Sequence, residues 1–444
     1  LVTGIMAAKA DSVPMVAITG QVARPVIGSE AFQECDICSI AAACTKMTYL
    51  VMSAQDLAPT IREAFRVAQE GRPGPVLIDV PRDVQLEETE FEYQSLPEKS
   101  LPTVSEETLE QVQQAARLIN QAERPVIIGG HGILASGATN EIKALAETTG
   151  IPVVNTLLGL SGFPRNHPLS LGMLGMHGMY WSNMVVDQAD LLVGLGMRFD
   201  DRVTGKASTF APHARIIHLD IEETQVGRNV PVEVPLIGDA KVILQALLPL
   251  VKHCPRLEWM DHIEDLKQNH PSLTIPPSEN LQPQQVLKEL NELIQEDPES
   301  VVVTGVGQHQ MWAAQFLFFN GCNTFVSSGG LGAMGFELPA ALGAQMGRPN
   351  SPVWTIAGDG GFQMTSQELA TMVQERLPVK IVLINNGYLG MVRQWQELFF
   401  ENHIKEVPIS GPDFVQLSQA YGIPAVRVKH QEDVMPALRQ AQKH

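Results

Sequence analysis

The sequence predicts an α/β protein built from three doubly wound parallel-sheet domains, the first of them incomplete on its N-terminal side. Three observations point there. The 444 residues suggest about three domains at roughly 150 residues each. Short apolar runs, too continuous for strands with one wet face, alternate with stretches whose apolar residues recur at helical spacing. Gly- and Pro-containing turns separate the two kinds of segment, as in repeated strand–helix units.

In the first domain, residues 1–98, strands are expected over 15–19 and 75–80, with a helix over 54–70. Two strands cannot make a covered parallel sheet. The opening "LVTGIMAAKADSVP" also reads as the middle of a helix, so sequence upstream of residue 1 is expected. The polar, Pro-containing stretch over 85–107 reads as a linker. The second domain, 105–255, alternates helices over 107–123 and 139–149 with strands over 125–129, 152–156, 191–195 and 215–221. A looser stretch over 253–283 leads into the third domain, 282–444. There a helix over 283–295 precedes strands over 301–305, 353–357, 379–384 and 425–428, with an amphipathic helix over 365–377. No short repeat period is visible, which disfavours a solenoid.

Composition narrows the function classes. A net charge of −18 with no offsetting basic stripe argues against nucleic acid as a partner. No apolar run reaches the roughly 18 residues of a membrane span. Five cysteines are too few for a disulfide framework in so long a chain and favour a cytoplasmic compartment. Cys35 and Cys38 form a C-x-x-C without evident partners, and read as ordinary packed thiols.

The stretch "GDGGFQMTSQELATMVQERLPVKIVLINNG" (358–387) carries the first chemical signal. One strand ends in an acid between glycines, the next in paired asparagines. In a parallel sheet both ends open on one edge, which puts Asp359 opposite Asn385 and Asn386. A carboxylate and an amide oxygen suit Mg2+, which takes oxygen ligands at about 2.0–2.1 Å and fills its shell with water and phosphate oxygens. Gly358, Gly360 and Gly361 allow close backbone approach and offer N–H groups to a diphosphate. A bare G-D-G is an ordinary turn; its pairing with N-N is the informative part.

That pairing resembles the thiamine diphosphate motif, in which the residue two beyond the second asparagine, here Tyr388, gives a backbone oxygen to the metal. "VGQHQMWAAQ" (306–315), "SSGGLGAMGFELPAALGAQ" (327–345) and "LGMVRQWQELFF" (389–400) are similar to the catalytic subunit family of acetohydroxyacid (acetolactate) synthase. The similarity spans the chain, through "AFQECD", "GRPGPVLIDVPRDV", "LGMLGMHGMYWSNM" and "RFDDRVTGKASTFAPHA". It implies the three-domain thiamine diphosphate enzyme fold. It also implies a transferase that decarboxylates pyruvate and joins the remainder to a second 2-oxo acid, pyruvate or 2-oxobutanoate, in branched-chain amino-acid biosynthesis.

The resemblance assigns residues. Asp359, Asn386 and Tyr388 would hold Mg2+. Gly307, Gln308, His309, Gly332, Met334, Gly358–Gly361 and Leu389, Gly390 and Met391 would contact thiamine diphosphate, with Met334 under the folded cofactor. Taken alone, Met334 is as well a core residue, and His309 a structural one. FAD, without net redox work in this family, would contact Arg72, Gly130, Gly132, Thr156, Leu157, Leu158, Met176, His177, Gly178, Arg198, Asp200, Asp220, Ile221, Gly238, Asp239 and Ala240. Asp220, at a strand end, suits a ribose hydroxyl.

For the second substrate, Arg198 resembles the residue that takes its carboxylate, a task suited to a guanidinium; an ion pair with Asp200 or Asp201 is the plain alternative. Trp395 resembles the residue favouring 2-oxobutanoate over pyruvate, one methylene being worth about 1–3 kcal/mol. Gln33, with Phe32, Arg82, Met176 and Asp201, completes the implied substrate pocket. The glutamate that activates the cofactor in this family would lie before residue 1, and the family's C-terminal closing segment beyond residue 444. The chain is therefore expected to be truncated at both ends and inactive alone. Partners implied are a homodimer or dimer of dimers and a regulatory small subunit. Three residues depart from the family pattern: Arg82 for lysine, Gly361 for serine and Glu337 for glycine. A flavin-linked oxidase, a glyoxylate carboligase or a non-catalytic binding fragment are the rival readings, and "RFDDRVTGK" with Trp395 disfavours the two enzymes.

Overall fold

Helix boundaries follow the local chemistry. Ser53 and Ser105, in extended conformation, accept from Gln55 N and Thr108 N and so start the helices Ala54–Gln69 and Glu106–Gln121, relieving N–H groups that have no partner within a helix. Pro283 opens Pro283–Glu296, where its missing N–H costs nothing. Gly150, at φ +68, ends Thr139–Thr149. The computed structural model describes residues 1–94 and 104–444, so the central part of the expected linker, 95–103, lies outside the described residues.

Thirteen strands are present among the described residues. They are β1 (Met15–Gln21), β2 (Met47–Leu50), β3 (Pro75–Pro81), β4 (Pro125–Gly129), β5 (Val153–Asn155), β6 (Ser170–Met173), β7 (Leu191–Leu195), β8 (Arg215–Asp220), β9 (Val234–Ile237), β10 (Val301–Thr304), β11 (Phe325–Ser327), β12 (Val353–Gly358) and β13 (Lys380–Ile384). They form three sheets, of order β1-β3-β2, β6-β5-β4-β7-β8-β9 and β11-β10-β12-β13, and the pairings are parallel throughout.

The chain separates into two units. The described residues of Leu1–Leu101 with Ser328–Ala333 make one, and those of Pro102–Ser327 with Met334–His444 the other. In the first unit, Val76, Ile78 and Val80 of β3 face one apolar cluster while Leu77 faces another. The second unit holds both larger sheets. On β4, Ile127 joins one cluster and Val126 and Ile128 the opposite one; on β10, Val302 faces one side and Val301 and Val303 the other. Burial on both faces is why these runs are continuously apolar. Leu160 and Met173 share a cluster with Trp354 and Ile356, so the six- and four-stranded sheets pack through a common core.

The six-stranded order reads 3-2-1-4-5-6 within its own chain order, and the four-stranded one 2-1-3-4. Both reverse direction beside their first strand, at β4/β7 and β10/β12, where α/β sheets leave a crevice at the strands' carboxyl ends. Arg256 stabilises the larger sheet's surroundings. Its buried guanidinium donates to Ile119 O (2.6 Å), Ala122 O (3.0 Å), Cys254 O (3.1 Å) and Thr149 O. It thereby answers carbonyls at two helix C-termini, where a cation is favoured.

Several elements differ from expectation. The first sheet has three strands because 47–50 also pairs, and 170–173, 234–237 and 325–327 are strands too short to show a period. The stretch 425–428 is not a strand: Val428 packs against the core but Val426 is 56% exposed, and no ladder forms beside β13. The helix expected over 365–377 begins earlier, as Asp359–Thr365, and then breaks through Ser366–Glu368 into Leu369–Gln374. The looser stretch contains a helix, Leu257–Asn269, anchored by buried Trp259 and Ile263.

Candidate active site

Asp359 follows β12 directly and is 4% exposed. Its Oδ2 accepts from Gly387 N at 2.8 Å, which draws the 358–361 turn and the 385–388 turn together at the carboxyl edge of β12 and β13. Gly387, at φ +70, lets the chain bend there. Asn386 Oδ1 accepts from Tyr388 N at 3.0 Å. Tyr388 is held by an antiparallel bridge to Pro408, and Arg393 lies over its ring at 4.3 Å. Burial raises the Asp359 pKa, with the N–H groups of Gly387 and Gly360 opposing; a divalent cation at the same oxygens would lower it. Among the described residues no group of three or more His, Cys, Asp or Glu could hold a metal. A cation here would use one carboxylate, an amide oxygen, a backbone carbonyl and outside oxygens, the donor set of magnesium rather than zinc.

Across the switch point, Gly307 (φ +150) caps the helix Gln308–Phe316. His309 is buried beside Gly358, where a Cβ would lie 2.8 Å from its Cε1. Burial pushes the His309 pKa down to about 4, and its Nε2 has no hydrogen-bond partner among the described residues. A neutral, orphaned imidazole nitrogen in a cavity wall is what a bound group would satisfy. Gln308 donates to Gln394 Oε1 at 3.0 Å. The cavity is lined by these residues and by Met334, Gly360, Gly361, Tyr388, Leu389 and Met391, among others. Met334 is 38% exposed and so is not the packed core residue of the plain alternative. The structure therefore gathers the expected cofactor residues around one cavity, except Gly332, which lies at φ +70 in the segment grouped with the first unit.

The expected FAD residues from the central sheet also share one edge. Gly130 and Gly132 follow β4, Thr156–Leu158 follow β5, Met176–Gly178 follow β6, Arg198 and Asp200 follow β7, Asp220 ends β8, and Gly238–Ala240 follow β9. Some have structural duties there. A Cβ on Gly130 would meet Gly196 O at 2.3 Å and one on Gly132 would meet Gly196 Cα at 2.6 Å, so these glycines serve backbone packing at β4/β7. Asp200 caps Asp201–Thr204, and Asp239 caps Ala240–Leu247. Asp220 accepts from Glu222 N at 2.9 Å, and Ile221 is exposed. Arg72 lies in the first unit, donating to Ser12 Oγ at 2.8 Å.

The two arginines of "RFDDR" separate clearly. Arg198 pairs with Asp200 at 3.6 Å, a half-exposed contact of the kind worth little. Arg202 instead lies over the Trp395 ring at 5.7 Å and directs Nη1 to Met176 Sδ at 3.4 Å; Asp201 is 3.5 Å from its Nε. The resemblance falls on Arg198, and nothing in the sequence points to the contact that Arg202 makes with Trp395. Trp395 itself packs on Phe399, centroids 5.1 Å apart. In the first unit, Phe32 is 89% exposed and Gln33 sits at φ +66, in a turn fixed by Glu34, which accepts from Gly28 N and from Ala31 N (2.9 Å). Arg82, after β3, donates its backbone N–H to Gln21 O at 2.9 Å.

Comparison with known proteins agrees with this architecture. Residues 305–444 match the family model "Thiamine pyrophosphate enzyme, C-terminal TPP binding domain", and residues 112–247 match the corresponding central domain. With its acid and amide turns together at the carboxyl edge of β12 and β13, the chain is a thiamine diphosphate enzyme. The relatives are more specific. The acetolactate synthase large subunit of Corynebacterium glutamicum is 46% identical over all of this chain and 72% of the relative. The acetolactate synthase of Mycobacterium leprae is 44% identical over 99% and 72%, and acetolactate synthase 1, chloroplastic, of Zea mays 42% over 99% and 71%. The chain belongs to the acetolactate synthase large-subunit family.

Proposed function

We propose that the protein decarboxylates pyruvate and condenses the two-carbon remainder with a second 2-oxo acid, giving 2-acetolactate or 2-aceto-2-hydroxybutanoate. The observation that carries this reading is the continuity of residues 386–395. One short stretch bears the amide of the oxygen-rich edge and, on the helix Gly390–Phe399, the indole that Arg202 covers. Donor and acceptor ends of a condensation would thereby sit on one short stretch of chain.

Bound thiamine diphosphate would supply a carbon nucleophile and an electron sink for decarboxylation. Asp359, Asn386 and the Tyr388 carbonyl would hold Mg2+ against its diphosphate, and Met334 would support its fold. His309 stays neutral at physiological pH and would offer an uncharged nitrogen to the bound group. Arg202, rather than Arg198, would take the acceptor's carboxylate, while Trp395 and Met176 wall its alkyl end. The central-sheet edge would hold FAD. Three domains, 1–98, 105–255 and 282–444, assembled as a homodimer or dimer of dimers with a regulatory small subunit as an optional partner, complete the reading. The five free cysteines suit the cytoplasm.

The test is product analysis with pyruvate, Mg2+, thiamine diphosphate and FAD. Acetolactate is expected when the chain is joined to the flanking segments expected above, and no turnover from the 444 residues alone; acetaldehyde or acetyl phosphate alone from the joined protein would refute the assignment. Asp359→Ala should leave thiamine diphosphate affinity insensitive to Mg2+, and persistent magnesium dependence would remove Asp359 from the metal site.

A further inference from the structure

Glu337 opens the helix Glu337–Gly347 and is fully buried. Its carboxyl lies between two glycines. A Cβ on Gly305 would be 2.4 Å from Oε2, and one on Gly361 would be 2.5 Å from Oε1. Gly305 follows β10 and Gly361 lies in the first turn of the helix Asp359–Thr365 that follows β12, so the carboxyl sits between the two neighbouring strand ends of the switch point. Neither oxygen has a hydrogen-bond partner among the described residues. Burial pushes its pKa up to about 7.

The group has little room to retreat. Relief of a clash at 361 requires the carboxyl to leave its rotamer inside a fully buried site, and the residue's backbone is fixed by Thr355 Oγ1, which donates to its carbonyl at 3.3 Å. The next residue, Leu338, is fully buried among Val301, Val303 and Ala357. Interiors packed in this way accept an added atom by forcing side chains off their rotamers or by shifting backbone, at about 1–3 kcal/mol.

We infer that Glu337 is a positioning residue of the diphosphate cradle: its carboxyl occupies the volume a side chain at 361 would need, and so sets where the Gly360–Gly361 backbone lies. Positions 337 and 361 then form one unit. Glutamate with glycine fits, and glycine with serine fits, but glutamate with serine does not. The inference rests on reading the cradle as the thiamine diphosphate site.

The test compares the parent protein with Glu337→Gly, Gly361→Ser, the double variant and Glu337→Gln. Thiamine diphosphate affinity in Mg2+ is read from tryptophan fluorescence, since Trp312 lines the cavity, and thermal midpoints are read without cofactor. Gly361→Ser is expected to weaken thiamine diphosphate binding by about tenfold or more. The double variant should return to within about threefold of the parent. Glu337→Gln, equal in shape and able to donate, should also stay within about threefold.

If Gly361→Ser binds like the parent, or if the two single losses simply multiply in the double variant, the inference is wrong. Should Gly361→Ser fail to fold, a folded double variant supports the coupling and an unfolded one overturns it. If the parent itself does not bind thiamine diphosphate, the functional reading fails, and the coupling is then decided by the thermal midpoints alone.

Discussion

Single side chains decide the chemistry, and they were unevenly legible. Asp359 and Asn386 could be read from the sequence because the two strands flanking them are strongly apolar and parallel, which forces their ends to one edge. The contact of Arg202 with Trp395 could not, because it required knowing which of the two guanidiniums overlies that ring. Replacing Trp395 with Leu should cut the preference for 2-oxobutanoate over pyruvate by about 10–200-fold, the worth of one methylene in an apolar pocket; competition between the two acceptors measures it. Two buried groups also give pH signatures of opposite sign. His309, lowered from its ordinary 6.5 to about 4, contributes stability that is present above 6.5 and lost as pH falls through about 4. Glu337, raised from 4.5 to about 7, contributes stability that is full below 4.5 and lost as pH rises through about 7. Glu337→Gln should therefore gain on the parent by about 3 kcal/mol between pH 4.5 and 7.5. Denaturant titration across that range checks it, and a difference that does not change with pH would show that the carboxyl titrates normally.

At the scale of elements, long amphipathic helices and fully apolar strands were legible, the short β5 and β10 included, whereas four other short strands were not. β2, β6, β9 and β11 are too short to stand out from the loops around them, and β9 contains Pro235, which is tolerated because the strand lies at the sheet edge. The reverse error at 425–428 shows that an alternating sequence is not a strand unless a neighbour completes its ladder. The glycines after β4 carry a further lesson: they look like a cofactor motif, yet their nearest demand is the approach of Gly196. Gly132→Ala should cost about 3 kcal/mol of stability through this backbone collision, seen as a lowered denaturation midpoint with or without flavin. A loss confined to flavin binding would mean that the glycine serves the ligand instead.

Over the whole molecule, strand order does what no motif announces. Two sheets with their own reversals place residues from six separate βα turns on one edge, and the acid and amide turns on another. Neither order follows from the sequence, since each depends on which distant strands pair. Asp220→Ala should reduce the FAD retained on purification by about tenfold through the loss of a charge-assisted hydrogen bond, while the thermal midpoint of the apoprotein changes little; full retention would take Asp220 out of the flavin site. No helix among the described residues is long and apolar enough to cross a membrane. The carboxyl wedged between Gly305 and Gly361 also bears on the order of replacements. A serine introduced at 361 has to displace this carboxyl, so a protein whose position 337 has been shortened first should accept that serine more readily than one that keeps the glutamate.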